Sequence, residues 1–218
     1  VDDLRRLQEE QQVLVAELQH RTRNLIAVVR SIAQQTMAVT GPTPEFQAQF
    51  GARMAALARV QGLLSRSDEE PVTLETLIRM ELDALGGLDG APDRVLLEGP
   101  EAPIRRSVVQ TLTLALHELA TNARKYGALA GDEGRLTVRW RINEAGGQGR
   151  RLELDWSERR PARLPPGHPE RRGYGRELIE RALPYALGAR TTFEVGPEGV
   201  RCTLELPLDR PERRGRPA

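Results

Sequence analysis

Leu4, Leu7, Gln11, Leu14, Leu18, Arg21, Leu25, Val28 and Ile32 recur at alternating spacings of three and four. Such spacing keeps one stripe on one side of an α-helix, and a stripe this long is buried only along a second helix. The expectation is one long helix over about 2–39, with polar interruptions at Gln11 and Arg21. Gly41-Pro42-Thr43-Pro44 breaks it, since proline removes a backbone donor and clashes with the preceding turn. A second amphipathic run, Phe46, Phe50, Met54, Leu57, Val60 and Leu64, then folds back to give an antiparallel helical hairpin over 1–66. A hairpin alone has little core, so a four-helix homodimer is the economical arrangement.

The polar break SRSDEEP at 65–71 reads as a hinge. Beyond it, 72–85 is a predicted helix with Thr73 as its N-cap, and RVLLEGP at 94–100 is a predicted short strand. A long helix ends near Tyr126, with Gly127 as its stop. Strands at 135–142 and 151–156 are joined by the hairpin connection NEAGGQG. Residues 157–172, rich in Arg and Pro, are expected to form a long loop of the kind that covers sites. A helix over 176–187 and a hairpin of TTFEV and VRCTLELPL around GPEG close the domain. The fold class is therefore α+β. The hairpin of 1–66 precedes a two-layer domain over 71–208, with helices on one face of a mixed sheet, and a disordered tail over 209–218.

Composition limits the partners. Across 218 residues the 32 Lys plus Arg nearly balance 31 Asp plus Glu, leaving +1, which gives no argument for a nucleic-acid surface. No apolar run approaches the roughly 20 residues of a membrane span, and VDDLRRLQEE is no signal peptide. The lone Cys202 excludes an intramolecular disulfide and fits a reducing, cytoplasmic setting. A first residue that is Val, inside a helical pattern, suggests a piece of a longer protein.

Within the long helix, LALHELATNARKYGAL at 114–129 sets Glu118, Asn122 and Tyr126 four residues apart on one face. Leu112, Leu116, Leu119 and Ala123 occupy another face, as suits a helix lying on a sheet. The chain has a single lysine, Lys125, and three asparagines, Asn24, Asn122 and Asn143, a scarcity that looks like GC-rich coding bias. That Lys125, Asn122 and His117 share nine residues points to specific chemistry, since Arg replaces Lys elsewhere. A carboxylate, a carboxamide and an ammonium so aligned could hold a metal ion and the phosphates it bridges. An ordinary amphipathic helix with a solvated polar side presents the same pattern.

His20, in HRTRN, lies just off the heptad seam and is reachable from solvent, with Asn24 one turn along the same face. A lone histidine beside a coiled-coil seam is also commonly a plain surface residue. Trp156 and Glu158, in WSE, could also be simply strand-end core and surface, and Gly173-Tyr174-Gly175 is a weak motif alone. His117 could be structural, orienting its neighbours. His168, in PPGHPE, is most simply solvated.

Together HRTRN, HELATNARKYGAL, WSE and RRGYGRELIERALPYALGA, in this order, resemble the HWE-type sensor histidine kinases. The resemblance implies a dimerising phosphoacceptor hairpin followed by an ATP-binding domain of the Bergerat type. It makes His20 the phosphoacceptor and Asn122 the holder of Mg2+ that bridges the ATP phosphates. Glu118 would orient water or metal or assist proton transfer, and Lys125 and Tyr126 would lie along the nucleotide. His117 and Trp156 fall in the ATP-site motifs. Glu158 would stand where the acid that reads the adenine amino group is placed, and the Gly173-Tyr174-Gly175 backbone would approach the triphosphate. Asn24 is the residue expected to serve any removal of phosphate from the partner, a response-regulator receiver domain.

The sequence departs from the family after WSE, where Arg159, Arg160 and Pro161 replace the usual glycine. Proline removes an N–H and arginine adds bulk, so nucleotide affinity is lowered or the arginines themselves meet phosphate. Arg21 also follows His20 where many histidine kinases carry an acid. The sequence leads to a kinase that phosphorylates His20 from Mg-ATP and passes the group to an aspartate. A catalytically silent ATP-binding dimerisation scaffold and an ATPase of the same fold are the alternatives.

Overall fold

The computed structural model describes residues 25–38, 40–66, 71–86, 92–144, 149–159 and 174–209. Of the long first helix, 25–38 is described as α1, and the seam before it lies outside the described residues. After the Gly41-Pro42 break, α2 runs Pro44–Arg66. Its apolar stripe is graded, with Phe46, Phe50 and Met54 half-buried and Leu57, Val60 and Leu64 buried. The chain divides into two compact units between Met54 and Ala55, inside this helix. In the first unit the buried Arg53 donates to Thr36 Oγ1 at 2.7 Å, and Thr36 donates to the Ile32 carbonyl at 2.6 Å.

The second unit is built on α3 (Leu74–Ala84), β1 (Val95–Glu98), α4 (Arg106–Lys125), β2 (Arg135–Glu144) and β3 (Arg150–Arg159). Then come α5 (Tyr174–Glu177), a π-helical turn (Leu178–Ala182), α6 (Leu183–Leu187), β4 (Arg190–Gly196) and β5 (Gly199–Pro207). Thr73 caps α3 as expected, its hydroxyl accepting the Thr76 N–H at 3.3 Å. Leu74 N–H to Ala102 O at 2.9 Å and Ile104 N–H to Val72 O at 2.8 Å join the lead-in to α3 with the lead-in to α4. The wide π turn ends two residues before Pro184, which lacks the N–H a regular helix requires there.

The five strands form one sheet in the order β1-β2-β3-β5-β4. Only β1 and β2 are parallel, and α4 supplies the crossover such a pair needs. Alternation sorts the two faces. Leu136, Val138, Trp140, Leu152, Leu154, Trp156, Cys202, Leu204 and Leu206 are buried, as are Leu112, Leu116, Leu119 and Ala123 of α4. Intervening side chains pair across strands in water, including Arg139 with Glu98 at 2.9 Å, Arg141 with Glu153 at 2.8 Å and Arg201 with Asp155 at 2.6 Å. Exposed pairs of this kind are worth about 0–1 kcal/mol each, so the apolar face carries the stability.

Two expectations change. The polar triplet Ser157-Glu158-Arg159, read as the start of a loop, completes β3, pairing with both β2 and β5; the remaining loop, 160–173, lies outside the described residues. Asp209, expected in the tail, accepts the Arg150 N–H at 2.6 Å, which holds its carboxyl below the usual range.

Cys202 lies opposite Trp156 on β5. Burial, reinforced by Asp155, Glu158 and Glu180, pushes its thiol from 9.0 up to about 12. Below pH 9 the thiol is neutral whether the chain is folded or not. Above it only the unfolded chain ionises, so this contribution to stability drains away as pH rises toward about 12. An aromatic disulfide reagent at pH 8 is expected to leave Cys202 untouched in the native protein and to label it fully in denaturant. Rapid native labelling would contradict the packing described here.

Candidate functional site

Helix α4 carries the polar residues singled out from the sequence and turns them outward in steps. Glu118 is buried at 7% exposure. One turn on, Asn122 is half-buried, and Lys125 and Tyr126 at the end are exposed. The helix stops because Tyr126 leaves helical geometry, its N–H bonding the Asn122 carbonyl at 2.8 Å. Gly127 follows the end of the helix as expected, although its φ is not positive. It is needed for space. A Cβ there would overlap Oε2 of Glu158 and lie 2.8 Å from the Ala123 Cα.

Glu158 is only 4% exposed. Its Oε1 accepts the Trp156 indole N–H at 2.9 Å, and its Oε2 accepts the Ala128 N–H at 3.0 Å. The two residues of the Trp-x-Glu pair are two apart on one strand and share a face, so the tryptophan that fills the core also aims the carboxylate. A charged acceptor receiving two N–H groups away from water makes strong hydrogen bonds. The Ala128 turn is held from its other side by Arg94, whose Nη2 donates to the Ala128 carbonyl at 2.9 Å and whose Nε donates to the Gly134 carbonyl at 2.9 Å. The same guanidinium reaches the Gly131 carbonyl. The planar fork suits this triple contact as an ammonium would not.

At the start of α5, Gly175 is buried, and a Cβ there would sit 3.0 Å from both Cβ and Oε2 of Glu118. Backbone thus lies directly against the Glu118 side chain, a cradle that a side chain would fill. The structure accordingly brings Glu118 to Gly175 and Gly127 to Glu158, with Asn122, Lys125 and Tyr126 at the end of the same helix. Tyr174 opens α5 by its backbone. His20, Asn24 and Gly173 lie outside the described residues, as do His168, Arg160 and Pro161.

His117 turns away from this group. Its ring is 4% exposed and its Nδ1–H donates to Glu81 Oε2 on α3 at 2.9 Å. Arg59 of α2 donates to the same oxygen at 2.6 Å. Sequence reading missed Arg59, Glu81 and Arg94. The signal for Glu81 was present, since it occupies the apolar stripe Leu74, Leu77, Ile78, Glu81, Leu82, where a carboxylate must find partners. Among the described residues no three His, Cys, Asp or Glu side chains converge as a metal cage. No described helix is long and apolar enough to cross a membrane.

Residues 17–101 match the HWE histidine kinase family. A blue-light-activated histidine kinase of Brucella ovis is 30% identical over 192 residues, which is 88% of this chain and 38% of that protein. The Brucella anthropi protein of the same description is 29% identical over 208 residues, 95% of this chain and 41% of its own length. The chain therefore spans about two fifths of these relatives. The Erythrobacter litoralis blue-light-activated histidine kinase superposes with a TM-score of 0.54 at 16% identity, covering 85% of this chain and 59% of that one. Its isolated histidine kinase domain gives 0.50 at 19% identity, covering 88% and 90%. At such identities the superpositions establish the shared fold.

Proposed function

From a chain homologous to the HWE histidine kinases, we propose a transmitter that phosphorylates its own His20 from Mg-ATP and donates the phosphoryl group to a response-regulator aspartate. The observation that carries the nucleotide half of this reading is the pairing of two glycines with two acids, Gly175 on Glu118 and Gly127 on Glu158. At Gly127 the backbone approaches a carboxylate more closely than a side chain allows, and at Gly175 it lies so close that a side chain would crowd the acid.

In this reading Glu158 faces the purine. Trp156 and Ala128 fix its orientation, and a carboxylate is the acceptor that suits an amino group. The Asn122 carboxamide and the Glu118 carboxylate suit Mg2+, which keeps several waters and takes few protein oxygens alongside phosphate. Bound there, Mg2+ would neutralise phosphate charge. Lys125, exposed at the helix end, adds a cation for the triphosphate, and the Gly173-Tyr174-Gly175 backbone approaches it. Glu118 is the candidate to take a proton from an attacking group. The transfer itself requires mainly positioning and charge neutralisation.

His20 attacks as a neutral imidazole, which Arg21 and Arg23 favour, since neighbouring cations disfavour imidazolium. Asn24, one turn on, is proposed for phosphate removal from the receiver. The division of labour follows the notion of a phosphoacceptor hairpin over 1–66 and a catalytic domain over 71–208, with dimerisation through the hairpin. The half-buried Leu25, Val28, Phe46 and Phe50 support that last proposal. A cytoplasmic place and an upstream sensor belong to the same reading.

Incubating the parent and His20→Ala with Mg-ATP labelled at the γ-phosphate tests it. Acid-labile, alkali-stable label on the parent and none on the variant is expected. Label on both moves the acceptor elsewhere. Binding of nucleotide with no label on either replaces the kinase with a silent scaffold.

A further inference from the structure

Arg59, Glu81 and His117 form a hydrogen-bonded chain through the interior of the second unit. Glu81 is fully buried, His117 nearly so, and the Arg59 side chain is 30% exposed. They come from α2, α3 and α4 respectively. Both donors converge on Oε2, at 2.6 Å from Arg59 and 2.9 Å from His117. Glu81 Oε1 and Arg59 Nε have no hydrogen-bond partner among the described residues. The carboxylate is thus shared between two helices while half its acceptor capacity is unused.

A buried acid of this kind is stable only while its donors stay in place, because desolvation leaves no substitute for them. Its position is therefore set jointly by α2 and α4. His117 directly precedes Glu118, about 100° further around the helix. The hydrogen bond that holds the imidazole therefore acts on the stretch of α4 from which Glu118 and Asn122 project. A second tie acts at the ends of the same helices, where Arg106 donates to the Leu64 carbonyl. Since α2 is one helix from Pro44 to Arg66, any turn about its axis carries Arg59 with it.

We propose that Arg59 and Glu81 are positioning residues for the nucleotide site, acting through His117, and that they make nucleotide affinity depend on the placement of α2. The inference rests on the reading of Glu118 and Asn122 as nucleotide residues. When Arg59 withdraws, Glu81 keeps a single donor and shifts toward water, drawing His117 and rotating α4. Glu118 and Asn122 then meet the nucleotide in the wrong orientation until binding restores it. Coupling between linked sites commonly amounts to about 5- to 150-fold in affinity.

The test measures binding of a fluorescent, non-hydrolysable ATP analogue with Mg2+, the ATP KM and kcat of autophosphorylation, and the melting temperature. The proteins are the parent, Arg59→Met, Arg59→Lys and Glu81→Gln. Arg59→Met keeps the apolar stem and lies partly in solvent, so a folded variant is expected. Its analogue affinity should fall and its ATP KM rise about tenfold, within the coupling range above, with kcat changed less than about threefold. Arg59→Lys should recover most of that loss, because an ammonium still reaches one carboxylate oxygen. Glu81→Gln should weaken binding in the same sense. A lower melting temperature in Arg59→Met and Glu81→Gln with affinity and KM within twofold of the parent would overturn the proposal and leave the chain a structural one. A parent that binds no analogue would instead overturn the nucleotide reading itself, and the inference with it.

Discussion

Glu158→Ala is expected to lower the melting temperature by about 10 °C and to weaken nucleotide binding by one to two orders of magnitude. The first effect follows from what the carboxylate holds. Its removal strands the Trp156 indole N–H and the Ala128 N–H in a buried setting, at about 1–3 kcal/mol for each unpaired group. For a unit of this size, 1 kcal/mol moves the midpoint by about 2–4 °C. The second effect combines a lost contact to a charged acceptor, worth about 1.5–3 kcal/mol, with a released Ala128 turn. Glu158→Gln should fall between parent and alanine, since one amide oxygen can accept one of the two donors while the NH2 faces the other. Thermal melts and titration with the fluorescent analogue check both. If Glu158→Gln matched the parent in stability and affinity, the carboxylate would be neither the clamp nor the purine contact described here.

How far the sequence revealed this arrangement varied with the physical signal each element leaves. α3 is readable because an apolar period of three and four begins just after Thr73, and α4 because Leu112, Leu116, Leu119 and Ala123 keep that period along its buried length. In sequence alone β3 stops at Trp156, three residues short of its end. Its last three residues are polar, and a strand ending in Ser-Glu-Arg looks like a loop unless the buried carboxylate of Glu158 is anticipated. Gly127 reads in sequence only as a helix terminator, because a glycine required for space carries no further mark there. Arg94 was invisible. It works through three backbone carbonyls, and a contact to backbone leaves no mark on the partner's residue type. The chain Arg59–Glu81–His117 was half readable: Glu81 interrupts an apolar stripe, yet nothing local says that its donors come from two other helices.

Gly127→Ala should destabilise the chain by about 3 kcal/mol, the upper end of what overpacking costs. It should also reduce nucleotide affinity at least tenfold, an effect of about 1.4 kcal/mol. The added methyl has two conflicts of different kinds. One is with Glu158 Oε2, a side-chain atom that is nevertheless pinned by the Ala128 N–H; the other is with the Ala123 Cα at 2.8 Å, which belongs to the helix backbone. The carboxylate can yield only by dropping Ala128 or Trp156, and the helix only by fraying its last turn. The two conflicts separate in a double-mutant cycle. In a Glu158→Ala background the first is gone, so the same glycine replacement should cost about 1 kcal/mol less than in the parent, within the range of coupling between touching residues. An equal cost in both backgrounds would mean that Ala123 alone demands the glycine. The close approach of the Gly127 turn to the acid would then be incidental to binding, and the pairing of glycine with carboxylate on which the nucleotide reading rests would reduce to Gly175 and Glu118.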